Sequence, residues 1–559
     1  MKILARWILP LTLGSTILAG AQTAPPAATP ESSVTQQLDE ARRQLAEQAA
    51  LLRQMREQLA EQGKAIEQLR QAQGHTLSGS SADAARLQTA AQALKTTAQP
   101  AAPAAVAATQ PAAAPKTDQP ADLFLRVGSA RLTPGGWADF TAIYRSTDVG
   151  SGLGTTFQSI PYNNTTAGGL SEIRFTAQGS RLSLRLDENL RKARVLGYVE
   201  TDFNGSLAGN GYVSTNSDTL RLRVMYANLG LGKWDLLGGQ YWSLITPARR
   251  GITPYTGDVF VTFHPDSSYQ VGLTFARQTL IRAIYHANDT FSAALSVENP
   301  EQFSGSAVTF PTLFSSTETD INSSTGSGGG TTTPNLTPDI LAKVALDHKF
   351  GGRAYHAGLT GLLLTNRIVT PASVTKTVAA KDTRVGAGIA ADFNLELVKN
   401  LRLISTDYWS DGGGRYIGGS GPGFVVLQNA STTAPFSAAL IHSGSSIDGF
   451  EWVATKKTTL SAYASAAYFQ RRYAADPSIK TSTTYVGYGF PGSANSNNRV
   501  LEELSLGSQN TLWQSPSHGA LQLITQSSYV LRAPWYVASG APKNAHAYVQ
   551  YINLRYIIP

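Results

Sequence analysis

The sequence predicts an all-β transmembrane β-barrel of antiparallel strands preceded by an α-helical coiled coil. Three observations predict it. From residue 122 onward, segments of about eight to twelve residues alternate apolar and polar side chains at period two. Their charges stand out of phase with their leucines: in RLSLRLD (181–187), Leu182, Leu184 and Leu186 share one face, and Arg181, Ser183, Arg185 and Asp187 share the other. Short turns and long loops then take turns between segments, which is the layout of an up-and-down membrane barrel; a soluble sandwich has Greek-key connections.

Taken in order, the first element is MKILARWILPLTLGSTILAGA. Lys2 and Arg6 precede or open an apolar run, and Ala19-Gly20-Ala21 supplies small residues for cleavage, so residues 1–21 read as a secretory signal peptide. Pro10 and Gly14 interrupt a run already too short for a membrane anchor. Residues 31–72 follow with Leu38, Leu45, Leu52, Leu59 and Ile66 at a spacing of seven, and Ala41, Gln48, Met55, Gln62 and Leu69 three residues later. That is a heptad seam, whose 3.5-residue period implies left-handed supercoiling and a rod about 50 Å long. Leucine at one core position does not specify a dimer, and buried glutamines can fix register in higher bundles; we read a trimer. Residues 73–121, rich in Ala, Pro, Gln and Thr, have too little apolar surface for a core and read as a semi-extended linker.

The body, residues 122–559, begins its visible strands at 136–144, 171–178, 181–187, 194–203, 219–229 and 234–242. It continues at 279–287, 290–298, 338–347, 354–364, 383–393, 400–409, 459–470, 499–508, 519–531 and 545–556. ENLRK (188–192), LGLGK (229–233) and AND (287–289) are tight turns, whereas 204–218, 243–268 and 299–337 are long loops. An Arg or Lys facing lipid near the midplane costs about 2–4 kcal/mol, so the leucines must face lipid and the arginines a wet interior. In the closing AYVQYINLRYIIP, Tyr548, Ile552, Leu554, Tyr556 and Ile558 form an apolar, aromatic-ended face opposite Asn553 and Arg555, as a barrel-closing strand requires. The final Pro559 departs from the aromatic residue usual in the terminal signal of outer-membrane assembly machinery.

Composition sets limits. The 559-residue chain has no cysteine, which excludes disulfides, thiolate metal sites, a cysteine nucleophile and a lipidated N-terminal cysteine. Its formal charge is +8, of which +7 falls in residues 123–559. That excess favours small anionic partners in the β-rich body, although a nucleic-acid surface would have the same sign; no nucleic-acid partner is expected for an exported barrel. The eight histidines form no HExxH or paired-ligand spacing, no GxSxG elbow is present, and the glycine-rich stretches 150–154 and 412–423 lead into no helix. They read as external loops. No enzyme, metal or cofactor is expected, with a hydrolase built from dispersed residues left as an alternative.

The chain resembles the DcaP-like outer-membrane porins. The signal peptide, rod and linker share that family's layout, and GQYWS (239–243), ENPE (298–301), PDILAKVALD (338–347) and NLRY (553–556) carry the likeness in the body. The resemblance implies a sixteen-stranded barrel, a homotrimer, a periplasmic N-terminal coil and a lumen favouring negatively charged solutes such as dicarboxylates. The residues alone leave sixteen or eighteen strands open. By strand phase, the inward basic residues are Arg174, Arg181, Arg185, Arg221, Arg223, Arg282, Lys343, Arg402 and Arg555, with Glu172, Asp187, Glu200 and Asp202 on the same wall. Opposite charges facing each other across a narrow pore would set up a transverse field. The 243–268 loop, with Arg249, Arg250, Phe260 and Phe263, is expected to fold inward, a reading that leans on the family. The function so predicted is passive diffusion of small anions across a bacterial outer membrane. Expected partners are outer-membrane lipid, those anions, further copies of the chain, the assembly machinery, and a periplasmic or cell-wall partner for the rod. Tethering of the envelope by rod and linker is the alternative role.

Overall fold

The computed structural model describes residues 124–559, except 206–217, 305–306, 315–336, 371–379, 419, 429–430 and 433. The signal peptide (1–21), the coiled coil (31–72) and the linker (73–121) lie outside the described residues.

Sixteen antiparallel strands close into a barrel. They are β1 (Ala130–Arg145), β2 (Glu172–Thr176 continued by Arg181–Leu190), β3 (Ala193–Asp202), β4 (Arg221–Leu231), β5 (Trp234–Trp242), β6 (Arg277–His286), β7 (Phe291–Glu298) and β8 (Asp339–Phe350). The second half comprises β9 (Arg353–Thr370), β10 (Ala380–Val398), β11 (Leu401–Asp411), β12 (His442–Val453), β13 (Thr458–Phe469), β14 (Asn498–Ser515), β15 (Gly519–Pro534) and β16 (Ala545–Ile557). Each strand pairs with its neighbours in sequence, and β16 returns to β1, from Trp137 opposite Ile557 to Arg145 opposite Val549. That closure removes every free edge, the condition for sheet backbone to exist in lipid.

The alternation read from the sequence is the alternation of the wall. On β8, Asp339, Leu341, Lys343 and Ala345 are buried inward while Ile340, Ala342, Val344 and Leu346 are exposed outward. On β2, Leu182 and Leu184 stand outward at 51% and 36% exposure, so aliphatic side chains face lipid and the arginines face the lumen. On β16, Tyr548, Ile552, Leu554 and Tyr556 face out and Asn553 is fully buried. Connections after even-numbered strands are tight, such as 191–192, 232–233 and 351–352; those after odd-numbered strands are long. The long segments 412–441 and 470–497 each carry a small hairpin, Phe424–Gln428 with Phe436–Leu440 and Arg472–Ala475 with Tyr485–Tyr488.

Two irregularities aim charges inward. One extra residue between the two parts of β2 switches its phase, so that Arg174 and Arg181, seven apart, share the inner face. On β4 a bulge between the partners of Glu200 and Thr201 turns both Arg223 and Val224 to the interior.

The alternation located fifteen of the sixteen strands. β12 is the one it missed, because HSGSSIDGFEWV has Gly444, Ser446 and Asp448 where an outward apolar row belongs.

Candidate functional site

A polar lumen is entered by one long loop, residues 243–276, between β5 and β6. The loop closes at its root, where the Ser243 N–H donates to the Ala276 carbonyl at 2.8 Å. Tyr241 and Trp242, just before it, are buried. Its first half is a narrow hairpin, with the Arg249 N–H bonded to the Asp258 carbonyl and the Phe260 N–H to that of Pro247.

Strands around most of the barrel hold this loop inside. The Leu244 N–H donates to Glu298 of β7 at 2.9 Å, and the Lys343 ammonium of β8 pairs with Asp392 of β10 at 2.7 Å while reaching the Thr246 carbonyl. The Gly251 N–H donates to Asp347 of β8 at 2.9 Å. Across the lumen, the Val271 N–H donates to Glu503 of β14, and Asp266 accepts from the Tyr551 hydroxyl of β16 at 3.0 Å and from the Thr155 N–H. Backbone N–H groups that lack a sheet partner need an acceptor when buried, and inward carboxylates supply it. The stretches GQYWS, ENPE and PDILAKVALD thus meet at one place: they build the root and latch of this loop.

Arg249 and Arg250, adjacent in sequence, have opposite environments. Arg249 makes a two-pronged ion pair with Glu451 of β12 at 2.7 and 3.0 Å and lies over the rings of Phe260 and Phe263. Phe260 is buried edge-on to Tyr463. Arg250 bonds Asp258 at 2.7 Å yet leaves 55% of its side chain open. The loop tip carries Tyr255 to within 5.2 Å of Arg185 on β2, facing the basic wall.

That wall is built by β1–β4, β6 and β16. Arg223 is buried between Glu200 (2.6 Å), Asp202 (2.8 Å) and the Tyr269 hydroxyl of the loop (3.1 Å). Arg221 forks onto Asp202 at 2.9 and 2.7 Å, and Arg181 reaches Glu200 at 3.3 Å while stacking on Trp137. Arg555 forks onto Asp139 and lies 4.5 Å from the centroid of the same indole. Arg185 pairs with Asp187 at 2.7 Å, and Arg174 points inward between outward Ile173 and Phe175. Elsewhere Arg282 donates to the Trp242 carbonyl at 2.7 Å beside Glu298, and Arg402 bonds Asn394.

All the residues singled out from the sequence therefore occupy the interior, but in two classes. Arg223, Arg282 and Lys343 have 4% or less of their side chains open and brace wall and loop. Arg185 and Arg221, at 41% and 32%, and Arg250 remain open to a solute. The four acids share the basic wall, as strand phase predicts. Glu200 and Asp202 lie on adjacent strands among the arginines, and Asp187 is on the same strand as Arg185, because ion pairs at under 3 Å are the cheapest way to keep charges at a low-dielectric wall.

Sequence reasoning missed Arg277. It sits at the first residue of β6 over the Trp242 ring, in the field of Arg221 and Arg223, and its buried Nη1 has no hydrogen-bond partner among the described residues. The alternation there becomes visible only at residue 279, two positions too late.

A closed sixteen-stranded antiparallel barrel with charged interior, apolar exterior and an inserted loop between β5 and β6 defines the porin class of fold. Among solved structures, the outer membrane channel DcaP of Acinetobacter baumannii superposes with a TM-score of 0.53 at 14% identity, covering 77% of this chain and 98% of that one. An anion-selective porin from Comamonas acidovorans matches 77% of this chain and all of its own length at 12% identity, with a TM-score of 0.42. No family model matches the chain, and no curated protein matches it by sequence.

Proposed function

We propose that this chain is an outer-membrane porin of the DcaP-like kind, through which small anionic solutes, dicarboxylates foremost, diffuse passively past the 243–276 loop. The observation that supports it best is the charge count where loop and wall meet. Arg181, Arg221 and Arg223 share the two carboxylates Glu200 and Asp202, and Arg277 adds a fourth guanidinium with an unfilled donor. A wall so built keeps a local positive surplus after internal pairing, and guanidinium forks match carboxylates geometrically. Arg185 and Arg250, open on either side of the passage, are the groups an anion meets first. No covalent step is required.

The same reading makes the chain a homotrimer, inserted by the assembly machinery into the outer membrane of a Gram-negative-type bacterium. Its residues 31–72 then lie in the periplasm, as a trimer clamp or an envelope tether. Reversal potentials in planar bilayers under a salt gradient test the channel. Anion preference is the expected result; cation preference overturns the role given to the arginines.

A further inference from the structure

We infer that the outer face of β11 and β12 is one half of a subunit interface, and that the outer face of β15 and β16 of a second copy of this chain is the other half. The inference rests on the oligomeric porin reading and adds where the copies meet.

Two carboxylates stand where lipid tails would. On β11 the outward row is Leu403, Ser405, Asp407, Trp409; on β12 it is Trp452, Phe450, Asp448, Ser446, Gly444. Register aligns Asp407 with Ser446 and Ser405 with Asp448. Trp452 and Phe450 lie toward the tight-turn end, and Trp409 stacks on Tyr468 of β13 toward the long-loop end. Aromatic rows of this kind mark the two membrane interfaces, so Asp407 and Asp448, both exposed, lie between them. On β2, β6, β7 and β8 the outward rows are aliphatic, as with Leu184, Ile281, Leu295, Ile340 and Val344. Charges inside a membrane are found where protein or water covers them.

The surface there is also hollow. Gly444 sits between Trp409 and Tyr468, a Cβ on it would meet the Trp409 ring at 2.5 Å, and Ala391 and Ala466 line the same hollow. The result is a groove of about 510 Å³. Small outward residues allow a neighbouring wall to approach closely.

The complementary half lies four strands away on the same barrel. On β15 and β16 the outward row includes Thr525, Ser527 and Gln550, the last two aligned with one another. Counted from its own tight-turn end, Gln550 is seven residues up β16, as Ser446 is up β12. The Gln550 carbonyl oxygen already accepts from Ser527 and Tyr548, while its Nε2 has one bond, to the Tyr551 carbonyl, leaving a donor. An acid edge and a donor edge separated around one barrel fit a closed ring of copies, where each interface joins two different surfaces.

The absence of cysteine gives a direct test. Barrels carrying Asp407→Cys, Ser446→Cys or Asp448→Cys are each co-expressed with barrels carrying Gln550→Cys, and oxidised in intact membranes. Within one chain these sites are four or five strand spacings apart along the wall, roughly 19–24 Å, beyond disulfide reach. A covalent dimer from at least one mixture, and none from a control pair Leu184→Cys with Leu295→Cys, is the expected result. Absence of a dimer from all three mixtures, or equal linking by the control, overturns the interface. If the cysteines impair linking by weakening assembly, modification of Ser446→Cys by a lipid-soluble maleimide decides. Protection at least tenfold over Leu184→Cys supports the interface, and equal rates overturn it. Native mass spectrometry and conductance on the same samples separate a misplaced interface from failure of the oligomer or of the channel.

Discussion

The sharpest contrast at the scale of single residues is between Arg249 and Arg250. Replacing Arg249 by Ser leaves Glu451 buried without its partner, a loss of about 3–5 kcal/mol by analogy with other broken buried pairs. The loop should loosen and single-channel conductance rise. Replacing Arg250 or Arg185 by Ser removes an exposed charge whose pairing is worth about 0–1 kcal/mol, so stability should hold while anion preference falls. Thermal melts beside reversal potentials distinguish the two, and an R185S/R250S double variant with wild-type selectivity would remove these residues from the pathway. Neither difference was legible in the sequence: phase told which way a side chain points, but its degree of enclosure depends on a loop folding back from elsewhere. A second residue-scale effect lies outside the membrane. Burial alone would raise the Asp476 carboxyl, but hydrogen bonds from Thr312 and Ser478 outweigh it and hold the group below the ordinary carboxylate range. A depressed carboxyl contributes its stabilisation above its unfolded pKa and loses it as pH falls through the folded value. Limited proteolysis of the 299–338 and 470–497 segments should therefore be unchanged from neutrality to about pH 4 and accelerate only below it. Asp476→Asn should bring that acceleration to neutral pH.

Strands were legible in proportion to how apolar their outer face is. β5 was read at its true ends, 234–242, because Trp234, Leu236 and Gly238 alternate cleanly with inward Asp235 and Leu237. β14 was read ten residues long and runs eighteen, since its outward row turns polar past Leu506. β12, with Asp448 and Ser446 outward, was invisible. The inserted loop was anticipated from its length and its arginines, but it runs eight residues beyond 268. Its second part, with Gln270 held by Ser465 and Ser505, has no period to announce it. The loop root gives an element-scale expectation. Glu298→Ala takes away the acceptor of the Leu244 N–H and leaves Arg282 without a carboxylate, so the loop should become accessible to protease and the channel noisier, with the barrel itself intact on unheated gels.

For the whole molecule, strand count and closure settle what residues alone left open: sixteen strands, not eighteen. The family likeness supplied that number, and the alternation supplied the direction in which the wall faces. The two roles proposed for the rod and linker are separable. Deleting residues 31–120 should leave the conductance of each barrel unchanged. If the rod clamps the trimer, the deletion releases monomers; if it tethers the envelope, trimers persist and vesicle shedding rises.

The ion pairs along the basic wall bear on speed as well as preference. On the proposed reading, a dicarboxylate entering there would compete for guanidinium forks that Glu200, Asp202 and Asp139 already occupy, and would be handed along by exchange instead of being captured at an empty site. Resident acids of this kind shorten how long a visitor stays. Removing one, as in Asp202→Asn, should lengthen blockades of the current by a dicarboxylate while reducing its throughput, turning a conduit into a trap.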